Sequence, residues 1–208
     1  MVMRWIPSQR NTIVHSSMVA ALSRLSSNEL LEANGKILER AEPKPKTILD
    51  LIGQFAAPKR STLILFEPHP DLVQAGVDFK KVHIIEGNDT MRKLFRYLLN
   101  HMDLKNATCG SQFPENGQYN TIYVGTPFNK DRVRLLYVPS GALLIFRNFP
   151  SSDNLPLPEG QAQQETLTTE QKLSRSTFNS LVNAGFTLLY PYNTGSLSTS
   201  DFYILRKP

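Results

Sequence analysis

Residues 46–70 read KTILDLIGQFAAPKRSTLILFEPHP, and the fold of the chain turns on how this stretch divides. Two short apolar runs, 47–51 and 62–66, are separated by a connection long enough for one short helix. The spacing predicts strand, helix, strand, although Ile48, Leu49, Leu51, Ile52 and Phe55 also suit a helix. The second run closes on an acid, Glu67. In open α/β sheets the loop after the first strand cradles a nucleotide, and the acid after the second accepts a ribose hydroxyl. The stretch therefore has the outline of a nucleotide-binding βαβ unit, with most of the usual loop glycines missing.

Downstream, strands are expected at 82–85, 120–124 and 142–146. Between the first two of these, Met91, Leu94, Phe95, Leu98, Leu99 and Met102 fall on one helical face, with Asp89 placed to cap it. Residues 103–118 are polar and turn-rich and read as a loop. A short helical run is expected at 131–138, a proline-rich flap at 150–164, and a helix after the Thr168/Gln171 capping pattern. Two strands, 186–190 and 202–205, finish the chain. Strands alternating with helices predict a mostly parallel sheet covered on both faces. The direct succession of the last two predicts a hairpin, hence an antiparallel final strand.

Upstream, residues 1–16 show no periodicity and are expected to be an irregular arm. Met18, Ala21, Leu22 and Leu25, then Leu30, Leu31, Asn34, Ile37, Leu38 and Ala41, have helical spacing broken at Ser26-Ser27-Asn28. The Pro-Lys-Pro segment at 43–45 ends that pattern. The expected division is an arm and helical extension over 1–45 and an α/β domain over 46–208. A chain of 208 residues with 40% hydrophobic content suits one sizeable core.

Lys and Arg number 23 against 18 Asp and Glu, giving +5 and a pI near 9.3. This permits an RNA or other anionic partner without a basic run that demands one. A protein partner on the N-terminal helices is equally allowed. The single cysteine, Cys109, excludes an intrachain disulfide, and His15, His83 and His101 show no metal-ligand spacing with one another or with it. No signal-peptide core and no membrane-length apolar run occurs, so a cytoplasmic protein is expected.

The order of seven strands ending in a hairpin resembles the class I S-adenosylmethionine-dependent methyltransferases, a three-layer Rossmann-like fold. The marks that carry the resemblance are Ile48-Leu49-Asp50, the acid Glu67, Gly87-Asn88-Asp89, Pro139-Ser140-Gly141, Ala184-Gly185-Phe186 and Tyr203-Ile204-Leu205-Arg206-Lys207. The resemblance implies S-adenosylmethionine as cofactor, with Asp50 and Gly53 near its methionyl part and Glu67, closing the second strand, on the ribose. It places Asn88 and Asp89 beside the adenine, and Gly125 with Thr126 at the fourth-strand end where substrate and methyl group meet. His69, just past Glu67, is the other candidate for proton transfer. The glycines expected two and four residues after the first-strand acid are replaced by Ile52 and Gln54. A methyltransferase acting on RNA or another anionic substrate is therefore set beside a methyltransferase fold retained as an inactive binding or scaffold subunit. A different Rossmann-like nucleotide binder is the third reading, and no G-x-G-x-x-G supports it.

Overall fold

The computed structural model describes residues 7–40, 52–56, 61–113, 119–125, 138–147, 176, 178–190 and 202–208. At its centre lies one sheet of seven strands. They are β1 (Thr62–Phe66), β2 (Lys81–Ile85), β3 (Ala107–Gly110), β4 (Thr121–Val124), β5 (Leu143–Arg147), β6 (Thr187–Tyr190) and β7 (Phe202–Arg206), in the spatial order β3-β2-β1-β4-β5-β7-β6. Strands β1 to β5 pair in parallel. Strand β7 runs antiparallel to both β5 and β6, as the hairpin reading expects.

The sequence of β1 shows why it sits at the centre. Leu63, Ile64 and Leu65 are all fully buried, because an inner parallel strand is covered on both faces. Alternation sends Leu63 and Leu65 into one core with Val82, Ile84, Tyr123, Ile145 and Ile204. Ile64 joins Ile122, Val124, Leu144, Phe146 and Leu205 in the core on the other face.

Among the described residues, three long α-helices pack on the first face. They are α1 (Pro7–Leu22), α2 (Ser27–Glu39) and α3 (Asp89–His101), with α1 and α2 both packed on α3. Helix α3 buries Met91, Leu94, Phe95, Leu98 and Leu99, the stripe read from its spacing. Each such fully buried side chain contributes about 1.5–3 kcal/mol of transfer free energy. Helix α2 starts where Ser26 donates its backbone N–H and its hydroxyl to the Glu29 carboxylate at 2.9 and 2.8 Å, which satisfies a donor that the first turn leaves unpaired.

The structure departs from the sequence reading in four places. Run 47–51 lies outside the described residues; among the described residues the first strand is Thr62–Phe66. A strand that the sequence reading did not expect is Ala107–Gly110, inside the segment read as loop. It is an edge strand, half-exposed along its length, and so lacks the apolar run that marks its neighbours. Helix α1 begins at Pro7, within the expected irregular arm; proline at the first position costs no hydrogen bond there. On α2, Leu31 and Leu38 are 72% and 76% exposed, and Ala33 with Ile37 meets the core instead. Finally, the cap of α3 is Asn88, whose Oδ1 accepts the Met91 N–H at 2.8 Å, while Asp89 lies in the first turn. Of the expected helix 131–138 only Val138 is described, buried in the second core. The flap at 150–164 and the capping pair at Thr168 and Gln171 lie outside the described residues.

Candidate functional site

The strand order reverses direction between β1 and β4. From β1 the chain moves outward to β2 and β3, then returns to β4 on the other side. Such a switch point opens a crevice at the carboxyl ends of the strands, the common ligand site of open α/β sheets. The residues that close β1, β2 and β4 on that side are Glu67, Glu86 and Gly125.

Glu67 follows β1 with φ 45, in the left-handed region that favours glycine. Its N–H donates to the Ile85 carbonyl at 2.8 Å, which fastens it to the end of β2. Pro68, His69 and Pro70 come next and are buried. His69 caps the 3-10 helix Pro70–Val77, its Nδ1 accepting the Asp71 N–H at 3.2 Å. Gly125 completes the wall. A Cβ there would stand 2.5 Å from the Glu67 carbonyl oxygen, so only glycine lets β4 approach β1 this closely.

Glu86 is the most enclosed charged group described, 0% exposed. Its side chain forms a two-pronged ion pair with Arg40, which lies just past the end of α2. Arg40 Nη1 bonds Oε2, and Nη2 bonds Oε1 at 3.2 Å. Oε1 also accepts the Asn88 N–H at 2.7 Å. The turn itself is fixed by Arg92, which donates to the carbonyls of Glu86 and Gly87, each at 2.8 Å. Helix α2 closes over the same turn. Glu32 accepts from Asn88 Nδ2 at 2.6 Å and Thr90 Oγ1 at 2.7 Å. These hydrogen bonds, Asn88 first, hold the Glu32 carboxyl below its ordinary value. One turn earlier, Lys93 meets Glu29 at 2.8 Å. That contact foremost, and then the Ser26 backbone and hydroxyl, hold the Glu29 carboxyl down at about 2.

The sequence-derived candidates distribute unevenly over this geometry. Glu67, Asn88 and Gly125 come to the crevice, and His69 lies beside it. Among the described strands Glu67 closes the first and not the second; the acid that closes the second is Glu86. Asp89 is an exposed first-turn carboxylate paired with Arg92. Gly53 is exposed in the helical turn 52–55, and no atom lies within 4 Å of a Cβ built there. Asp50 and Thr126 lie outside the described residues. Sequence reasoning passed over Glu86 although its signal was present: an apolar run, Val82 to Ile85, ending on an acid and a glycine. Arg92 and Lys93, which on a solvated face would suit a phosphate, are engaged within the chain. Among the described residues no group of three His, Cys, Asp or Glu side chains would hold a metal ion. No described helix is long and apolar enough to cross a membrane.

No family model matches the sequence, and no curated protein matches it either. The backbone, in contrast, has counterparts of the same fold among solved structures. A candidate O-methyltransferase from Klebsiella pneumoniae aligns over 99% of this chain and 92% of its own, at 13% identity and a TM-score of 0.55. The chain has the class I methyltransferase fold. The O-methyltransferase from Bacillus cereus in complex with SAH, S-adenosylhomocysteine, aligns over 99% of this chain and 94% of its own at 12% identity and a TM-score of 0.54. A ribosomal protein L11 methylase from Lactobacillus delbrueckii subsp. bulgaricus matches 81% of each chain at 10% identity and 0.55.

The crevice of this methyltransferase fold suits an S-adenosyl group at one end and departs from it at the other. Glu86 places at the end of β2 the carboxylate type that a ribose diol needs, with Arg40 and the Asn88 N–H now bonded to its oxygens. Gly87 keeps the adjoining space open, with Glu67 Oε1 3.5 Å from where its Cβ would be. The loop after β1 contrasts with this: Pro68 and Pro70 carry no N–H, where a glycine loop would present donors to an anionic group.

Proposed function

We propose that the chain binds S-adenosylmethionine, with Glu86 on the ribose hydroxyls, and acts as a methyltransferase on RNA or another anionic substrate. The observation that carries the reading is Glu86: a fully buried carboxylate at the end of β2, oriented by Asn88 and Arg92, at the switch point of this fold. The cofactor would supply an electrophilic methyl group. The chain's share is placement, with Glu86 fixing the nucleoside and Gly125 allowing β4 to close on the β1 loop. The net charge of +5 supports an anionic substrate. His69 and Thr126 remain the candidates for receiving a substrate proton; the Nδ1 of His69 already accepts a backbone N–H, so its proton transfer would run through Nε2.

A second reading, a fold kept as a binding scaffold without catalysis, is favoured by the Glu67-Pro68-His69-Pro70 loop and its missing donors. Calorimetry separates the two. With S-adenosylmethionine and S-adenosylhomocysteine the natural chain should show micromolar binding that Glu86→Gln weakens at least tenfold and Glu67→Ala weakens less. Circular dichroism checks that both variants fold. Absence of heat with either ligand would defeat the enzyme reading, and RNA binding without cofactor would support the scaffold.

A further inference from the structure

The carboxylate assigned to the ribose is already engaged by the chain itself. A carboxylate has about four acceptor positions, two on each oxygen. On Glu86 three are taken: both positions of Oε1, by Arg40 Nη2 and the Asn88 N–H, and one of Oε2, by Arg40 Nη1. One position remains, and a ribose diol needs two. The Asn88 N–H belongs to the turn and is fixed, so the side chain that must yield is Arg40.

We infer that Arg40 is an internal latch: its guanidinium occupies the ribose acceptor in the ligand-free chain, and nucleoside binding displaces it and loosens the carboxyl-terminal turn of α2. This rests on the assignment of Glu86 to the ribose. The location of Arg40 suits the role. It is the C-cap residue of α2, its N–H shared between the Lys36 and Ile37 carbonyls. The amino-terminal half of α2 is fastened separately to α3, through Glu29 to Lys93 and Glu32 to Asn88 and Thr90. Release of the guanidinium therefore frees the last turn while the first stays docked. The site thereby reports its occupancy to the N-terminal helices, because a ligand that displaces a contact shifts the population of the conformation lacking it.

Two measurements on the full chain test the latch. In hydrogen exchange, saturating S-adenosylhomocysteine should speed exchange of amides 36–40 and leave 27–33 unchanged. In calorimetry, Arg40→Ala should bind S-adenosylhomocysteine at least tenfold more tightly than the natural chain, with Arg40→Lys between them. A buried unpaired carboxylate destabilises, so the melting temperature of each variant is recorded, and the exchange experiment on the natural chain stands if Arg40→Ala does not fold. If the ligand binds the natural chain but slows or does not change exchange at 36–40, or if Arg40→Ala binds it no better, the latch is wrong and the ribose assignment survives. If neither chain binds it, both fall.

Discussion

Gly125→Ala tests whether the crevice is built as described. The added Cβ would lie 2.5 Å from the Glu67 carbonyl oxygen and 3.3 Å from both the Glu67 carbonyl carbon and Pro68 Cα. Atoms in ordinary contact prefer about 3.5–4.0 Å, so something must move, and all three atoms are backbone. Glu67 has little freedom to yield, because its N–H is bonded to Ile85 at 2.8 Å and a proline follows it. Overpacking of this kind costs about 1–3 kcal/mol. A chain of this size loses about 2–4 °C per kcal/mol, so the melting temperature should fall by roughly 2–12 °C. Gly35→Ala is the internal control. Position 35 is in the middle of α2 with no atom within 4 Å of the new methyl, and replacing an interior helical glycine should stabilise by about 0.5–1 kcal/mol, a rise of roughly 1–4 °C. Both are read by differential scanning calorimetry in one buffer. If Gly125→Ala melts within a degree of the natural chain, or if Gly35→Ala loses as much, β4 does not approach the β1 loop as described.

Three further predictions concern titration and reactivity. Glu29 is held down at about 2 in the folded chain against an ordinary 4.5, so its contact with Lys93 is complete above about pH 5 and is lost as pH falls from 4.5 toward 2; the difference in urea midpoint between the natural chain and Lys93→Met should be constant from about pH 5 to 9 and vanish across that acid window. Burial, and secondarily Lys81, lowers the His83 pKa below 6.5. The unfolded chain then binds the proton more readily, so His83 makes stability drop as pH falls below 6.5; its ring protons should titrate with a midpoint under 6.5 by NMR, and His83→Gln should flatten the stability profile between about pH 7 and 5. Burial pushes the Cys109 thiol up to about 11, so iodoacetamide at pH 8 should label it tens of fold more slowly in the native chain than in urea; equal rates would show that β3 leaves the thiol in water.

Much of the fold was legible because inner parallel strands and amphipathic helices announce themselves by apolar content. The stripe of α3, the runs of β1, β2, β4 and β5 and the terminal hairpin were all read correctly. Strand β3 was hidden for the opposite reason: Ala107, Thr108, Cys109 and Gly110 form an edge with solvent on one side, and their order comes from pairing with β2. The sequence reading counted the run 47–51, which lies outside the described residues, as the first strand, whereas the first two described strands are Thr62–Phe66 and Lys81–Ile85. The acid that follows the second described strand is therefore Glu86, where the sequence reading placed Glu67. Arg40 was beyond reach of any local pattern, since its partner is 46 residues away.

The ties that hold α2 also set an order of events during synthesis. Glu29 reaches forward 64 residues to Lys93, Glu32 reaches 56 to Asn88, and Arg40 reaches 46 to Glu86. When α2 leaves the ribosome none of these partners exists, and at about 5–20 residues per second it waits several seconds for them. Contacts of such long range are made late, after the closure of large loops. Helix α2 therefore docks only after these later partners have been made, and until then Leu31 and Leu38 are not the only apolar side chains of α2 exposed to water: Ala33 and Ile37 wait there too.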